Sequence, residues 1–172
     1  VTASDGAGSL RSNEVYGVRA GSFDTQDAWF QKGYVGERVS VAISHEYSKT
    51  DGDDDRVILS DGFGQSGVFR TEYEINNTMV KAKVDDFSLR YHRWELSNGG
   101  NGAGGAQVLD AQGVVEIETN QFDLGYKSRL SDHWLVEANS GYSVEQGNIE
   151  NVLLPAGNYP IVSAGPNIGN LS

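Results

Sequence analysis

Cysteine is absent from this chain of 172 residues, which excludes disulfide bridges, thiolate metal sites and a cysteine nucleophile. Long apolar runs are also missing, since no stretch approaches the roughly 18 consecutive apolar residues of a transmembrane helix. Basic residues are few: 13 Lys and Arg stand against 24 Asp and Glu, for a net charge of -11. Because binding to phosphate backbones requires a basic surface, we expect no nucleic-acid partner.

What the sequence does contain is alternation of apolar and polar residues with a period of two, which is typical of β-strands with one apolar face. In residues 38–49 one face carries Val39, Val41 and Ile43, and the other carries small and charged residues. The facing of residues 27–35 stays open at this point. The sequence predicts no helix and seven strands, over residues 15–22, 27–35, 38–49, 78–84, 87–94, 121–127 and 134–143.

After the first hairpin, the connections between these strands alternate in length. Residues 36–37, 85–86 and 128–133 are short connections, whereas residues 50–77, 95–115 and 144–172 are long. Tight turns at one end and long loops at the other are typical of bacterial outer-membrane barrels, whereas a Greek-key sandwich need not keep that order. We therefore predict an all-β fold, an antiparallel meander of about seven strands forming part of a transmembrane β-barrel.

Three segments carry a resemblance to a known family. Residues 17–29 (GVRAGSFDTQDAW) contain a G-x-R-x-G-S-F-D-T pattern, residues 47–61 (YSKTDGDDDRVILSD) lead from a strand into an acidic loop, and residues 155–170 are PAGNYPIVSAGPNIGN. In this order, and with the opening Val1-Thr2 as the plug-to-barrel junction, they resemble TonB-dependent outer-membrane receptors of the siderophore type. The resemblance covers nearly the whole chain and identifies residues 1–172 as the N-terminal part of such a barrel, with the plug and the remaining strands absent.

The resemblance implies a plugged barrel of about 22 strands in the outer membrane of a Gram-negative bacterium. Such a receptor imports ferric siderophores or a similar scarce nutrient with energy from the inner-membrane TonB complex. Its implied partners are outer-membrane lipid, the missing plug and barrel strands, the TonB complex and the ferric siderophore, and no cofactor is expected. Whether the chain is a fragment, a truncated gene product or one of several chains completing a barrel stays open.

An acidic cluster in residues 51–55 (DGDDD) supplies the first candidate ligand-binding residues, Asp51, Asp53 and Asp55. Alternate carboxylates could coordinate Ca²⁺, but an EF-hand loop that starts at Asp51 would need glycine and glutamate where Arg56 and Gly62 stand. A solvated surface loop is the simpler interpretation. The alternative function is a soluble all-β ligand- or carbohydrate-binding module whose acidic loops bind calcium.

The other candidate ligand-binding residues, Arg19, Arg90 and His92, lie on polar strand faces. In a barrel these faces point into the lumen, where the residues could line a path for an anionic ferric chelate. Because acidic residues share the same faces, a set of charge pairs is the simpler interpretation. The histidines are too scattered to predict a metal site. No catalytic arrangement is recognisable, so we do not expect an enzyme.

Overall fold

The computed structural model of the chain describes residues 13–53, 55–103 and 108–151. These residues form an all-β structure with no helix long and apolar enough to cross a membrane. The strands are β1 (Asn13–Ala20), β2 (Gln26–Val35), β3 (Val39–Thr50), β4 (Val57–Ile58), β5 (Gly67–Val68), β6 (Tyr73–Val84), β7 (Phe87–Gly100), β8 (Val114–Ser131) and β9 (Trp134–Glu150).

Seven of these strands form one antiparallel sheet in the order β1-β2-β3-β6-β7-β8-β9, and β4 and β5 form a separate small hairpin. The predicted seven-stranded antiparallel meander is therefore confirmed. Among the described strands, β1 and β9 each pair on one side only, so the sheet is open rather than closed.

The predicted bounds of the long loops are wrong. Residues 73–77, 95–100, 114–115 and 144–150 of these predicted loops belong to strands, and β8 is 18 residues long instead of the seven expected. In these segments the alternation weakens, because polar residues occupy both faces, as in ELSNGG at 95–100. Ladder hydrogen bonds to a neighbouring strand keep such a segment extended without an apolar pattern to reveal it.

One face of the sheet carries mostly apolar side chains, and we call it the apolar face. The strand register places Val39, Val84, Phe87, Tyr126 and Ala138 in one row across five strands. Since side chains alternate along a strand, the positions two and four residues further from the tight turns share this face. These include Tyr34, Val41, Ile43, Val80, Ala82, Leu89, Tyr91, Phe122, Leu124 and Tyr142.

The opposite, polar face carries small and charged residues, with Ala42, Lys81, Arg90, Asp123 and Gly141 in one row. The facing of β2, which the sequence left open, follows from its pairing with β3. Its residues Phe30 and Tyr34 lie on the apolar face and Trp29 lies on the polar face.

The apolar face is exposed. Val41 is 41% exposed, Leu124 47% and Phe87 55%. In the part of the chain that the structure describes, only Val108 and Leu109 are buried apolar residues, and both lie in the β7–β8 connection. The seven-stranded sheet therefore has no apolar core of its own among these residues.

The apolar band runs obliquely across the strands. Toward the tight turns it extends at least to Ala138 on β9 but only to Tyr16 on β1, and these two residues are not in the same register row. On β3 the row of Ala138 crosses at Val39, whereas the row of Tyr16 crosses at His45, six residues further from the tight turn. The turn-side edge of the band therefore moves toward the loop end of the sheet as it approaches β1.

The β1–β2 turn, residues 21–25, lies at the loop end of the sheet, and the other tight turns, at residues 36–38, 85–86 and 132–133, all lie at the opposite end. An ion pair joins two of them: Nε and Nη2 of Arg38 donate to the two carboxylate oxygens of Asp85, at 2.8 and 2.7 Å. The hydrogen bonds from Arg38 hold the pKa of Asp85 below its ordinary value. Asp85 has a φ of 51°, a conformation that Asp and Asn tolerate better than most residues.

This pair gives a pH dependence with a definite sign. Because the pKa of Asp85 is lowered in the folded state, its stabilising contribution is present above the ordinary aspartate pKa of about 3.9. This contribution is lost as the pH falls through the lowered pKa that Asp85 has in the folded state. We expect Asp85→Asn to reduce the free energy of unfolding at pH 7 and to have little effect at pH values below that pKa. The free energies of unfolding of the wild type and of Asp85→Asn, measured in urea from pH 7 down to acid pH, give the contribution of the pair at each pH.

Asp86→Asn is the matched control, because Asp86 occupies the same turn and only its backbone carbonyl makes a hydrogen bond, accepted from the amide of Lys127. We expect its effect to be small at every pH. A pH-independent loss of stability in Asp85→Asn would show that the ion pair contributes nothing and that the substitution acts on the turn itself.

Candidate functional site

Arg19 lies at the loop end of β1 and is engaged in a local network. Its Nε donates to Oδ2 of Asp27 at 2.7 Å, and Oγ of Ser48 donates to the other carboxylate oxygen at 2.6 Å. Asp27 is only 7% exposed. These contacts join β1, β2 and β3, so Arg19 stabilises the first hairpin of the sheet.

Arg90 and His92 lie on the polar face of β7, as the sequence predicted from their shared parity. Arg90 donates from Nε to Oδ2 of Asp123 on β8 at 2.9 Å, and Nε2 of His92 is 2.9 Å from Oδ1 of Asn77 on β6. Both side chains therefore already have partners within the sheet. Further along this face Lys127 pairs with Glu137 at 3.2 Å, so charge pairs are frequent here.

Asp51, Asp53 and Asp55 lie in the connection between β3 and β4, while Asp54 falls outside the described residues. Oδ1 of Asp51 is 3.4 Å from Nζ of Lys49, and the backbone amide of Asp53 donates to Oγ1 of Thr71 at 3.0 Å. No group of three or more His, Asp or Glu side chains within the described ranges could hold a metal ion. The predicted site residues thus occupy three separate places.

The two long connections pack against each other. The carboxylate of Asp61 accepts hydrogen bonds from the amides of Phe63 and Gln65 through Oδ1 and from the amide of Leu109 through Oδ2, at 2.7, 2.8 and 2.9 Å. The bond from Leu109 is the main reason that the pKa of Asp61 is lowered. Val108, the neighbour of Leu109, is fully buried. Asp61 therefore ties the β4–β5 hairpin to the β7–β8 connection.

A second set of contacts fixes the same connections near the sheet. Arg70 donates from Nη1 to the carbonyls of Ala111 and Gly113 at 3.3 and 3.4 Å, and its guanidinium pairs with Glu72. Gly102 has a φ of 53°, and a Cβ at this position would lie 2.7 Å from the ring of Phe69. A side chain at residue 102 would thus displace that ring.

Between these connections and the loop ends of β6, β7 and β8 lies a cavity of about 440 Å³, which we call the loop-end groove. The strand residues that line it belong to the polar face. On β7, for example, Trp94 is two residues after His92 and four after Arg90, so the three side chains lie on the same face. Among the described residues that line it, the only charged side chains are Arg70 and Glu72, which pair with each other. Most of the other large lining residues are apolar or aromatic: Phe69, Tyr73, Ile75, Trp94, Leu96 and Val115.

The sequence analysis missed this groove, because it placed most of its residues in loops. A signal was present in the sequence: Ile75, Trp94 and Leu96 continue the polar-face positions of their strands but are apolar. Where the positions of a polar face become apolar toward one end of a strand, that end of the face is a candidate contact surface.

Comparison of the chain with protein-family models, with curated proteins and with solved structures finds no match. What the chain does must therefore be argued from its geometry and its sequence.

Proposed function

We propose that the chain forms part of the wall of an outer-membrane β-barrel receptor that imports a ferric siderophore or a similar scarce nutrient. The observation that carries this proposal is the exposed apolar face of a seven-stranded sheet that has no apolar core among the described residues. Contiguous exposed apolar surface of this extent requires an apolar partner. For a sheet with an opposite polar face, the hydrocarbon of a membrane is the partner that outer-membrane barrels use.

The oblique course of the apolar band supports the proposal. In a barrel the strands tilt by about 35–45° from the barrel axis, so a membrane belt of constant height crosses register rows at an angle. The turn-side edge of the band has this form, because the rows of Ala138 and Tyr16 are six residues apart on β3. The charged pair Glu14–Lys32 lies on the turn side of Tyr16, which is outside the band at that edge of the sheet.

Strand direction limits how such a barrel closes. With seven antiparallel strands in consecutive order, β1 and β9 run in the same direction. They cannot pair with each other in an antiparallel ladder, so closure needs an odd number of further strands and an even total. The roughly 22 strands of the family that the sequence resembles meet this condition.

In this proposal the polar face points into the lumen, toward the plug, and the long connections face the cell exterior. The remaining strands, the plug and the contact with the inner-membrane TonB complex belong to other segments of the receptor. The soluble binding module has less support, because it would need a second partner to cover the apolar face. The described residues also offer no calcium site to its acidic loops.

The test combines location with transport in the bacterium that produces the chain. We expect the chain in the outer-membrane fraction, and we expect disruption of its gene to abolish uptake of at least one ferric chelate from a panel of catecholates, hydroxamates and carboxylates. A protonophore should stop the same uptake, because import depends on the inner-membrane energy source. A soluble monomer in the periplasm or cytoplasm would contradict the membrane location, and unchanged uptake across the panel would contradict the transport role.

A further inference from the structure

The loop-end groove carries an inference about ligand chemistry. We propose that it binds an uncharged aromatic or aliphatic ring of a small ligand. The cavity of about 440 Å³ falls within the roughly 300–1,000 Å³ of pockets that hold small molecules. This proposal deepens the proposed function, on which it rests for the exposure of the groove to the cell exterior.

The lining of the groove suits an apolar ring. Trp94 and Tyr73 come from adjacent strands, and Ile75 and Leu96 pair directly across them. Aromatic side chains favour stacked or edge-to-face contact with another ring, which adds to the effect of burying apolar area. Close packing of Gly102 against Phe69 holds one wall of the groove in place.

The charges of the groove favour an uncharged ligand. Arg70 is held by Glu72 and by the carbonyls of Ala111 and Gly113, so its guanidinium is already paired. A ligand carboxylate or sulfonate would have to displace Glu72 or remain unpaired, and unpaired charge at an apolar surface is costly. The net charge of -11 adds a general repulsion of anions.

One face of the Phe69 ring is already covered by Arg56, a residue of the β3–β4 connection. The guanidinium of Arg56 lies 4.9 Å from the centroid of the ring. Trp94 is thus the better candidate for stacking with a ligand, and it is the residue to substitute in the binding experiment.

Two fluorescent probes that share one ring skeleton separate the effects of shape and charge. N-phenyl-1-naphthylamine is uncharged, and 8-anilino-1-naphthalenesulfonate adds one sulfonate to the same rings. We expect saturable binding of the uncharged probe to the detergent-solubilised chain, with affinity about tenfold higher than for the sulfonate. Trp94→Ala should weaken binding of the uncharged probe by about tenfold. Trp134→Ala is the control, because Trp134 is 70% exposed at the turn end of β9.

A second variant tests the charge argument and does not depend on the aromatic wall. Glu72→Gln removes the carboxylate partner of Arg70, so we expect it to raise affinity for the sulfonate by more than it changes affinity for the uncharged probe. Equal binding of the uncharged probe to wild type and Trp94→Ala, measured at the same detergent concentration, would overturn the proposal. Tighter binding of the sulfonate by wild type would overturn it as well. Neither result would contradict the membrane location, which this assay does not measure.

Discussion

Leu124→Lys should lower the free energy of unfolding in lipid by about 2–4 kcal/mol, the cost of a lysine on the lipid-facing side near the bilayer midplane. Leu124 is 47% exposed on the apolar face of β8, between Leu89 and Ser140 of the neighbouring strands. In water the same substitution would replace an exposed leucine with a soluble residue, and its effect would stay within about 0.5 kcal/mol. The size of the effect therefore shows whether lipid or water surrounds the apolar face.

The matched control is Gln121→Lys on the same strand. Gln121 lies on the polar face, between His92 and Ser143. A lysine there would meet a polar neighbourhood, so we expect its effect on unfolding in lipid vesicles to be small. Equal effects of the two lysines would contradict the assignment of the faces, whatever their size.

Gly17→Val should destabilise the sheet by about 1–3 kcal/mol, the range observed when extra atoms are forced into a packed site. Strand propensity alone predicts the opposite sign, because valine favours strands and glycine does not. The structure decides between them: the indole of Trp29, paired directly across from residue 17, occupies the space that a Cβ would fill. An aromatic ring that covers a cross-strand glycine also pins the strand register.

A double-mutant cycle tests the cause. In a Trp29→Ala background the indole is gone, so Gly17→Val should become neutral or stabilising, with a coupling energy of about 1–3 kcal/mol. Gly33→Val is the control on the same polar face, because a Cβ at residue 33 would meet only the carbonyl oxygen of Val41, at 3.8 Å. If Gly17→Val cost the same in both backgrounds, the clash with Trp29 would not be its cause.

The fold could be predicted from the sequence where apolar and polar residues alternate clearly. In β8 the positions Phe122, Leu124 and Tyr126 define a strand, and the structure confirms it. The segment that begins at Val114 could not be predicted, because its extended form depends on pairing with β7 and β9 rather than on a pattern of its own. The tight turns predicted at residues 36–37 and 85–86 agree closely with the structure, since few residues separate strong patterns there, whereas the one predicted at 128–133 was too long because residues 128–131 belong to β8.

The candidate site shows a similar division. The parity of Arg90 and His92 was sufficient to place them on one face of β7, and the structure confirms that placement. The loop-end groove depends on how residues 55–72 and 108–113 pack together, through contacts such as the one between Asp61 and Leu109. These residues are far apart in sequence and belong to no motif, so only the structure brings them together.

Cysteine scanning along β3 tests the membrane wall most directly, because the chain has no cysteine of its own. Single cysteines at residues 39–44 are labelled with an environment-sensitive fluorophore, and the chain is reconstituted in vesicles with lipids that carry a quencher on their acyl chains. We predict strong quenching at residues 39, 41 and 43, and reaction with water-soluble reagents at 40, 42 and 44. Quenching that is absent, uniform or reversed between the two sets would contradict the proposal that the apolar face lies against lipid.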